Sequence, residues 1–426
     1  MDFLIGVINI SLITSIVFFW YKSLRNPSIK PYFLPALFFK LFTGLILGLI
    51  YRYYYDSGDT FLFFEDASAL ADLAYKSPAV YIENLLESSV RGLNYAHQPR
   101  ALFFVKILSL PTIITCKNYW LSGLYFSLFS FFGMWKLTDL LSTAFPKLIK
   151  PAVFAFLFYP SVVFWSSGVL KEPVIMGCLS LCLAIYLPYL LEQKSVKLSG
   201  IIISVFLLLI IWQLKFYYAA VLIPLSLVCI AIVYLKGKWL YIQNRYFLQF
   251  ILSLLLLVVF YLPLSFLHPL LNLENILAEI IRNHDWYLID GTIPTKGYIH
   301  YSELKPELGS FVRNFPLAFF SGLFRPLIFD ANSLFQFFVG IENTLLFILF
   351  LGALWRINQL KISKYFYMVM MAILYIAILA TVLAFAAPNF GSLMRYKIAF
   401  LPFLVYLITV NNPLVEYVLR KQRSNL

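Results

Sequence analysis

The sequence predicts an all-α fold, a polytopic transmembrane helical bundle, and three observations support that prediction. Hydrophobic residues make up 62% of the 426 residues and charged residues only 12%, which lies outside the usual range of soluble globular chains. The mean hydropathy is +0.83. Apolar runs long enough to cross a bilayer follow one another along the chain. We therefore expect a single integral membrane domain over residues 1–426.

About eleven apolar segments approach the roughly 20 residues that a helix needs to cross the hydrocarbon. They are residues 3–20, 33–55, 118–138, 151–164, 173–191, 198–213, 216–235, 246–267, 333–355, 365–386 and 396–410. Residues 151–164 are short for a span. Residues 101–116 are also apolar, but Lys106 and Pro111 interrupt them, and we interpret this segment as re-entrant or interfacial.

Short basic clusters separate the apolar runs, although the formal charge of +13 could also suggest nucleic acid. They are Lys22, Arg25 and Lys30; Lys147 and Lys150; Lys194 and Lys197; Lys236, Lys238 and Arg245; Arg356, Lys361 and Lys364; and Arg420, Lys421 and Arg423. Positive charge on alternate connections marks the cytoplasmic side of a membrane protein. We therefore expect membrane lipids and no nucleic acid as partners, with the N-terminus outside and the C-terminus cytoplasmic, in a bacterial cytoplasmic (inner) membrane. If residues 101–116 cross fully, the N-terminus moves inside.

Two connections, residues 56–100 and 268–332, are too long and too polar to be turns, and both are assigned to the outer face. In the first, residues 60–74 and 78–90 have the pattern of two short amphipathic helices, with Phe61, Phe64, Leu70 and Leu73 on one side and the acids on the other. The histidines His97, His268, His284 and His300 all lie in these two loops. A histidine metal site is one interpretation, but the other segments are mostly apolar spans and chance gives this clustering easily.

The first chemical constellation is a set of four carboxylates after the second predicted span: Asp56, Asp59, Glu65 and Asp66. Crowded carboxylates repel one another, so one of them can act as a general base. The same oxygens can hold a divalent cation. The alternative is a solvated loop in which Asp59 or Ser57 caps a helix that begins near Thr60.

The second constellation connects two predicted spans, from Trp165 to Pro173, and contains Lys171 beside Glu172. Adjacent charges at bilayer depth are costly unless they are paired or functional. A helix–turn–helix connection explains the proline and the glycine here, but not Lys171. Together with His97 and Arg100, at the end of the first loop, these two charges are candidates for substrate binding.

The third constellation is positive charge on the predicted outer face, where the positive-inside bias disfavours it. It comprises Arg313, Arg325, Arg395 and Lys397. Arginine binds phosphate oxygens with paired donors, so these residues are candidates for binding a lipid pyrophosphate. Interfacial snorkelling and an internal ion pair are the alternatives.

At these residues the chain resembles the GT-C class of multispanning glycosyltransferases, which use polyprenyl-phosphate-linked sugars, and the related bacterial exopolysaccharide and O-antigen polymerases. The resemblance implies transfer of a sugar or glycan from such a donor to a glycan or lipid acceptor on the outer face. By this resemblance Asp59 or Asp56 deprotonates the acceptor hydroxyl, while Lys171, Arg325 and Arg395 neutralise the leaving phosphate. The acidic loop follows the second predicted span here, whereas it usually follows the first span in that class.

Two other functions remain open. The first is a transporter or flippase for a lipid-linked or anionic solute, although such proteins usually combine broken helices at the midplane with inverted repeats, and neither is clear in the sequence. The second is a non-catalytic assembly subunit of the envelope, which would need none of the acids.

Overall fold

The structure is a computed structural model that describes residues 2–55, 59–191, 195–243, 245–267, 272–288, 294–355 and 365–417. These residues are 82% helical and form no strand. A single bridge between Tyr298 and Asn389 is isolated. The prediction of an all-α fold is confirmed for the described part of the chain.

Seven described helices are long and apolar enough to cross a membrane, and two bent helix pairs raise that number to nine if each pair is one span. The chain is therefore a multispanning membrane protein, whereas the predicted count of about eleven spans is not confirmed. Part of the difference lies in residues 151–164, which form two short α-helices around a π-helical segment, Phe154–Phe158. The predicted spans 198–213 and 216–235 lie on one helix of 41 residues that is broken at Lys215.

The described residues cluster into two compact units, a division that the sequence analysis did not predict. Unit 1 comprises Met1–Ile185 and Lys197–Phe216, and unit 2 comprises Tyr186–Val196 and Tyr217–Leu426. The helices of unit 1 are α1 (Asp2–Ser23), α2 (Phe33–Tyr53), α3 (Asp59–Lys76), α4 (Pro78–Leu86), α5 (Pro99–Ile114), α6 (Tyr119–Ala144), α7 (Ile149–Val153) and α8 (Pro160–Trp165). Two helices, α9 (Lys171–Leu190) and α10 (Leu198–Lys238), contribute residues to both units. The helices of unit 2 are α11 (Leu240–Gln243), α12 (Tyr246–Leu267), α13 (Leu273–Asp285), α14 (Leu308–Phe324), α15 (Leu334–Trp355), α16 (Phe366–Ala386), α17 (Phe390–Tyr396) and α18 (Leu401–Thr409).

Glycines allow the apolar helices of unit 1 to approach closely. A Cβ atom at Gly48 of α2 would lie 2.6 Å from the ring of Trp120 on α6. A Cβ atom at Gly133 of α6 would lie 2.4 Å from the carbonyl oxygen of Gly177 on α9. Both distances would be clashes. The second lies between two backbones, the close approach that small residues allow where membrane helices pack together.

The two helices predicted in the first loop are present as α3 and α4, and α3 packs on α5. The Phe63 ring lies 4.5 Å from the ring of Tyr95 and 5.1 Å from that of Phe104. One detail of the prediction is wrong: the acids of α3 do not all lie opposite its apolar side, because Asp66 is only 2% exposed. Three N–H donors compensate for its burial, and they are described with the site below. The axes of α5 and α6 differ by 113°, an angle that fits a re-entrant or interfacial α5 or a broken span.

In unit 2, α14 and α16 touch backbone to backbone, because a Cβ atom at Gly322 would lie 2.0 Å from the carbonyl oxygen of Ala380. The loop between α13 and α14 also folds against the start of α17. The N–H of Phe390 donates to the carbonyl of Gly297 at 2.9 Å, and the N–H of Ile299 donates to that of Pro388 at 2.9 Å. This pairing fixes the loop beside the positive residues at the end of α17.

Candidate functional site

Three segments that the sequence analysis selected meet in unit 1: α3, the end of the first long loop, and the turn before α9. The Lys171 ammonium lies 5.1 Å from the centre of the Phe63 ring on α3. From the same helix, Asp66 accepts hydrogen bonds from the backbone N–H groups of Asn94 at 2.8 Å and Tyr95 at 2.9 Å. Residues far apart in sequence therefore share one region of the unit.

A buried ion pair lies beside Lys171. Lys215 Nζ is 2.7 Å from Glu172 Oε1, and the two side chains are 8% and 2% exposed. Lys215 is also the residue at which α10 is broken, with φ −149° and ψ 87°. The break places a charged side chain between two apolar helical segments, and Glu172 at the start of α9 compensates that charge.

Arg100, at the start of α5, adds a further positive charge. Its guanidinium carbon lies 4.6 Å from the centre of the Phe216 ring, and Phe216 directly follows Lys215. We call Arg100, Lys171, Glu172 and Lys215 the cationic cluster. Three of its four members are cations, a composition that favours an anionic ligand.

Side chains of α2 and α6 hold the turn that carries Lys171. Lys40 of α2 is 2% exposed and its ammonium donates to the Ser166 hydroxyl. The N–H of Gly168 donates to Ser127 Oγ of α6 at 2.8 Å, and Gly168 has φ +72°, a backbone conformation that favours glycine. The turn is therefore held by polar contacts inside the unit, which restricts the position of Lys171 and Glu172.

The three predicted catalytic acids that the structure describes have different surroundings. Asp59, at the first residue of α3, and Glu65 are exposed. Asp66 is buried and accepts a third hydrogen bond, from the Asn94 amide at 2.9 Å, so its three donors favour a role in fixing the loop. Asp56 lies outside the described residues. Among the residues that the structure describes, no three His, Cys, Asp or Glu side chains are grouped as metal ligands.

Two positive residues of the third constellation, Arg325 and Lys397, come together in unit 2. Arg325 donates to both carboxylate oxygens of Asp330, at 2.9 and 2.5 Å, and its guanidinium carbon lies 4.8 Å from the Phe390 ring centre. Burial alone would raise the pKa of Asp330. Hydrogen bonds from Arg325 and from the Leu327 N–H outweigh burial and hold that pKa below its usual value. Asp330 is thus ionised and compensates Arg325.

Lys397 lies beside this ion pair in space, and Arg395 precedes Lys397 by two residues in the chain. Lys397 is 1% exposed and its ammonium donates to the carbonyl oxygens of Arg325 at 2.5 Å and Leu323 at 3.3 Å. Arg395 donates to the Tyr396 hydroxyl at 3.3 Å. The main-chain contacts of Lys397 indicate a role in connecting α14 to α17, while Arg395 remains the candidate for an anionic ligand.

Two predicted substrate-binding residues lie on the surface. Arg313 pairs with Glu303 at 3.8 Å, with side chains that are 66% and 75% exposed. His97 is also exposed. The residue that the sequence analysis missed is Lys215, although a lysine between two long apolar runs was a visible signal.

Comparisons with known protein families, with characterised proteins and with solved structures found no match to this chain.

Proposed function

We propose that this protein is a membrane glycosyltransferase or polysaccharide polymerase that uses a polyprenyl-(pyro)phosphate-linked donor. It transfers a sugar or glycan to a glycan or lipid acceptor on the outer face of a bacterial cytoplasmic membrane. The N-terminus lies outside and the C-terminus in the cytoplasm, as the basic loops predict.

The convergence of α3 with the cationic cluster is the observation that carries this proposal. Charged groups within a membrane protein are costly and usually serve a substrate or each other. Glu172 pairs with Lys215 at 2.7 Å, and Lys171 and Arg100 bring two further positive charges to the cluster. Both side chains are partly exposed, so a lipid phosphate can reach them.

The proposed reaction makes defined demands on the site. The acceptor oxygen forms a bond to the anomeric carbon, and the bond from that carbon to the carrier phosphate breaks with its electron pair on the phosphate. Arg100 and Lys171, or Arg395 in unit 2, stabilise the charge that develops on the leaving group. The acceptor hydroxyl loses a proton to a base, the role that the sequence analysis gave to Asp59, which is exposed at the start of α3. A divalent cation at the acids remains a possible addition.

A second candidate function follows from the break in α10. Discontinuous helices with charged groups at the break are typical of transporters, and Lys215 with Glu172 has that form. A transporter or flippase for a lipid-linked or anionic solute would move its ligand across the membrane without forming a glycosidic bond.

Binding of a defined lipid pyrophosphate tests the site. The purified protein in lipid nanodiscs is titrated with geranylgeranyl pyrophosphate, and geranylgeraniol is the uncharged comparison. Arg100→Gln and Lys171→Gln should weaken pyrophosphate binding if unit 1 binds the donor. Arg395→Gln should weaken it if unit 2 does. Each hydrogen bond to a charged group contributes about 1.5–3 kcal/mol, so loss of one weakens binding about 10- to 100-fold. The exposed residues Arg91 and Lys117 give matched Gln controls.

Formation of a new glycosidic linkage then separates the two functions. A deletion strain of the source bacterium is complemented with the wild type or with a binding-deficient variant, and lipid-linked and polymeric glycans are compared. Loss of linkage formation supports the transferase. Intact linkages with donor retained on the cytoplasmic face support the transporter. Equal affinity for geranylgeraniol and its pyrophosphate would refute an anion-binding site.

A further inference from the structure

An amphipathic helix in the second long loop presents a histidine to the interior of unit 2. In α13 the buried apolar residues Leu277 and Ile280 precede His284 by seven and four positions, so all three share one helix face. His284 is 7% exposed. The sequence analysis weighed this residue only as one of four histidines that might bind a metal.

The two nitrogens of His284 have different surroundings. Nδ1 lies 3.1 Å from Asp285 Oδ1, whose side chain is 52% exposed. A carboxylate only accepts hydrogen bonds, so Nδ1 carries the hydrogen, and Nε2 of the neutral ring is an acceptor. Nε2 is buried and has no hydrogen-bond partner. A histidine oriented by a carboxylate, with its second nitrogen available, is the usual arrangement of a general base.

Tyr301 provides a second buried polar atom beside this ring. The centres of the two rings are 6.0 Å apart, and the Tyr301 hydroxyl is also buried without a hydrogen-bond partner. Burial raises the pKa of this hydroxyl above its usual value, although the charge of Arg325 acts in the opposite direction. Tyr301 is therefore a neutral hydroxyl, able to donate or to accept a hydrogen bond.

Buried polar groups are almost always paired, so two neighbouring ones without partners call for an explanation. One ligand hydroxyl can give each of these two atoms a hydrogen-bond partner, because it can donate to His284 Nε2 and accept from the Tyr301 hydroxyl. The nearby Arg325 has its charge compensated by Asp330, which leaves this place suited to a neutral hydroxyl more than to a phosphate.

We propose that His284 and Tyr301 bind the hydroxyl of the glycan acceptor and that His284 is the catalytic base. This assignment rests on the proposed glycosyl transfer. As the acceptor oxygen bonds to the anomeric carbon, its proton moves to Nε2, and the electron pair of the broken bond leaves with the carrier phosphate. The Tyr301 hydroxyl orients the acceptor oxygen, and Asp285 orients the imidazole ring. His284 thus takes the role that the sequence analysis gave to Asp59.

Two substitutions at His284 separate chemistry from packing. Gln keeps a polar group near the Nε2 position, and Asn keeps a donor near Nδ1, but neither is a base. We expect both His284→Gln and His284→Asn to reduce single-turnover transfer about 10²- to 10⁴-fold. Binding of geranylgeranyl pyrophosphate and the melting temperature should stay near wild type. The exposed His300, in the same loop, gives the control His300→Gln, for which a wild-type rate is expected.

Three further measurements complete the test. Added imidazole should restore part of the transfer in His284→Ala, in proportion to its concentration. Tyr301→Phe removes one oxygen atom and should slow transfer about 10-fold, so it tests the site even if the histidine variants fail to fold. Asp59→Asn compares the two candidate bases: it should slow transfer less than His284→Gln, and a larger loss in Asp59→Asn would assign the base to Asp59 instead. A wild-type rate in folded His284→Gln or in Tyr301→Phe would overturn the proposal and indicate a buried water as the partner. A wild type that neither binds the pyrophosphate nor transfers sugar would refute the proposed function instead.

Discussion

The buried ion pair between Glu172 and Lys215 makes a strong prediction about stability. The two side chains are 2% and 8% exposed and lie 2.7 Å apart. Replacing one partner leaves the other charge buried without its counterion, which typically costs about 3–5 kcal/mol. We therefore expect Glu172→Gln and Lys215→Met each to lower the free energy of unfolding by that amount. The double variant removes both charges and should recover most of the loss, because no buried charge of the pair remains.

An exposed ion pair in the same unit gives the matched comparison. Lys117 and Asp72 also lie 2.7 Å apart, but their side chains are 42% and 46% exposed. Exposed pairs contribute about 0–1 kcal/mol, so Lys117→Met and Asp72→Asn should change stability little. Burial is then the main difference between the two pairs.

The assay is a double-mutant cycle in mixed micelles, with unfolding driven by SDS and followed by tryptophan fluorescence. A coupling energy of about 2 kcal/mol or more for Glu172 and Lys215, and one below about 0.5 kcal/mol for the exposed pair, is expected. Single variants of the buried pair that each cost less than about 1 kcal/mol would refute the reasoning, because they would show that solvent or another group compensates the remaining charge.

Two further predictions concern unit 2 and the orientation of the chain. The pKa of Asp330 is held below its usual value, so its ion pair with Arg325 stabilises the fold fully above the usual aspartate pKa of about 3.9. That stability is lost as the pH falls through the lower folded-state pKa. Melting between pH 7 and pH 2.5 should show this loss in the wild type, and Asp330→Asn should be less stable at pH 7 and less dependent on pH. A reporter fused after Leu426 should be active only on the cytoplasmic side, and activity outside would reverse the orientation inferred from the basic loops.

Composition and periodicity predicted most of the helices, because a bilayer leaves few alternatives to an apolar helix. The predicted segment 246–267 and the helix Tyr246–Leu267 have the same bounds. The structure of residues 151–164 was harder to predict, because they are apolar enough for a span but are divided by Pro151 and Pro160. Each proline begins or interrupts a short helix, and a count of apolar residues does not detect that.

The site was predicted less well, because contacts between distant residues are not visible in a local pattern. Asp66 and Asp59 look alike in the sequence, yet one accepts three hydrogen bonds from the following loop while the other is exposed. Arg325 was selected as a candidate for binding phosphate, and an internal ion pair was the alternative, but its pairing with Asp330 depends on how the chain turns after α14. His284 was visible as a histidine on an apolar helix face. Its unpaired nitrogen required the structure.

The length of α10 connects the break at Lys215 to the topology. A straight helix of 41 residues would extend about 62 Å at 1.5 Å per residue, twice the hydrocarbon thickness of about 30 Å. The break leaves segments 198–214 and 216–238, of 17 and 23 residues, and each is near the length of one crossing. Lys215 pairs with Glu172 at the start of α9, so within unit 1 the end of the first segment lies beside the start of α9. The lengths of the two segments therefore favour two crossings for α10, as the sequence analysis predicted for residues 198–213 and 216–235.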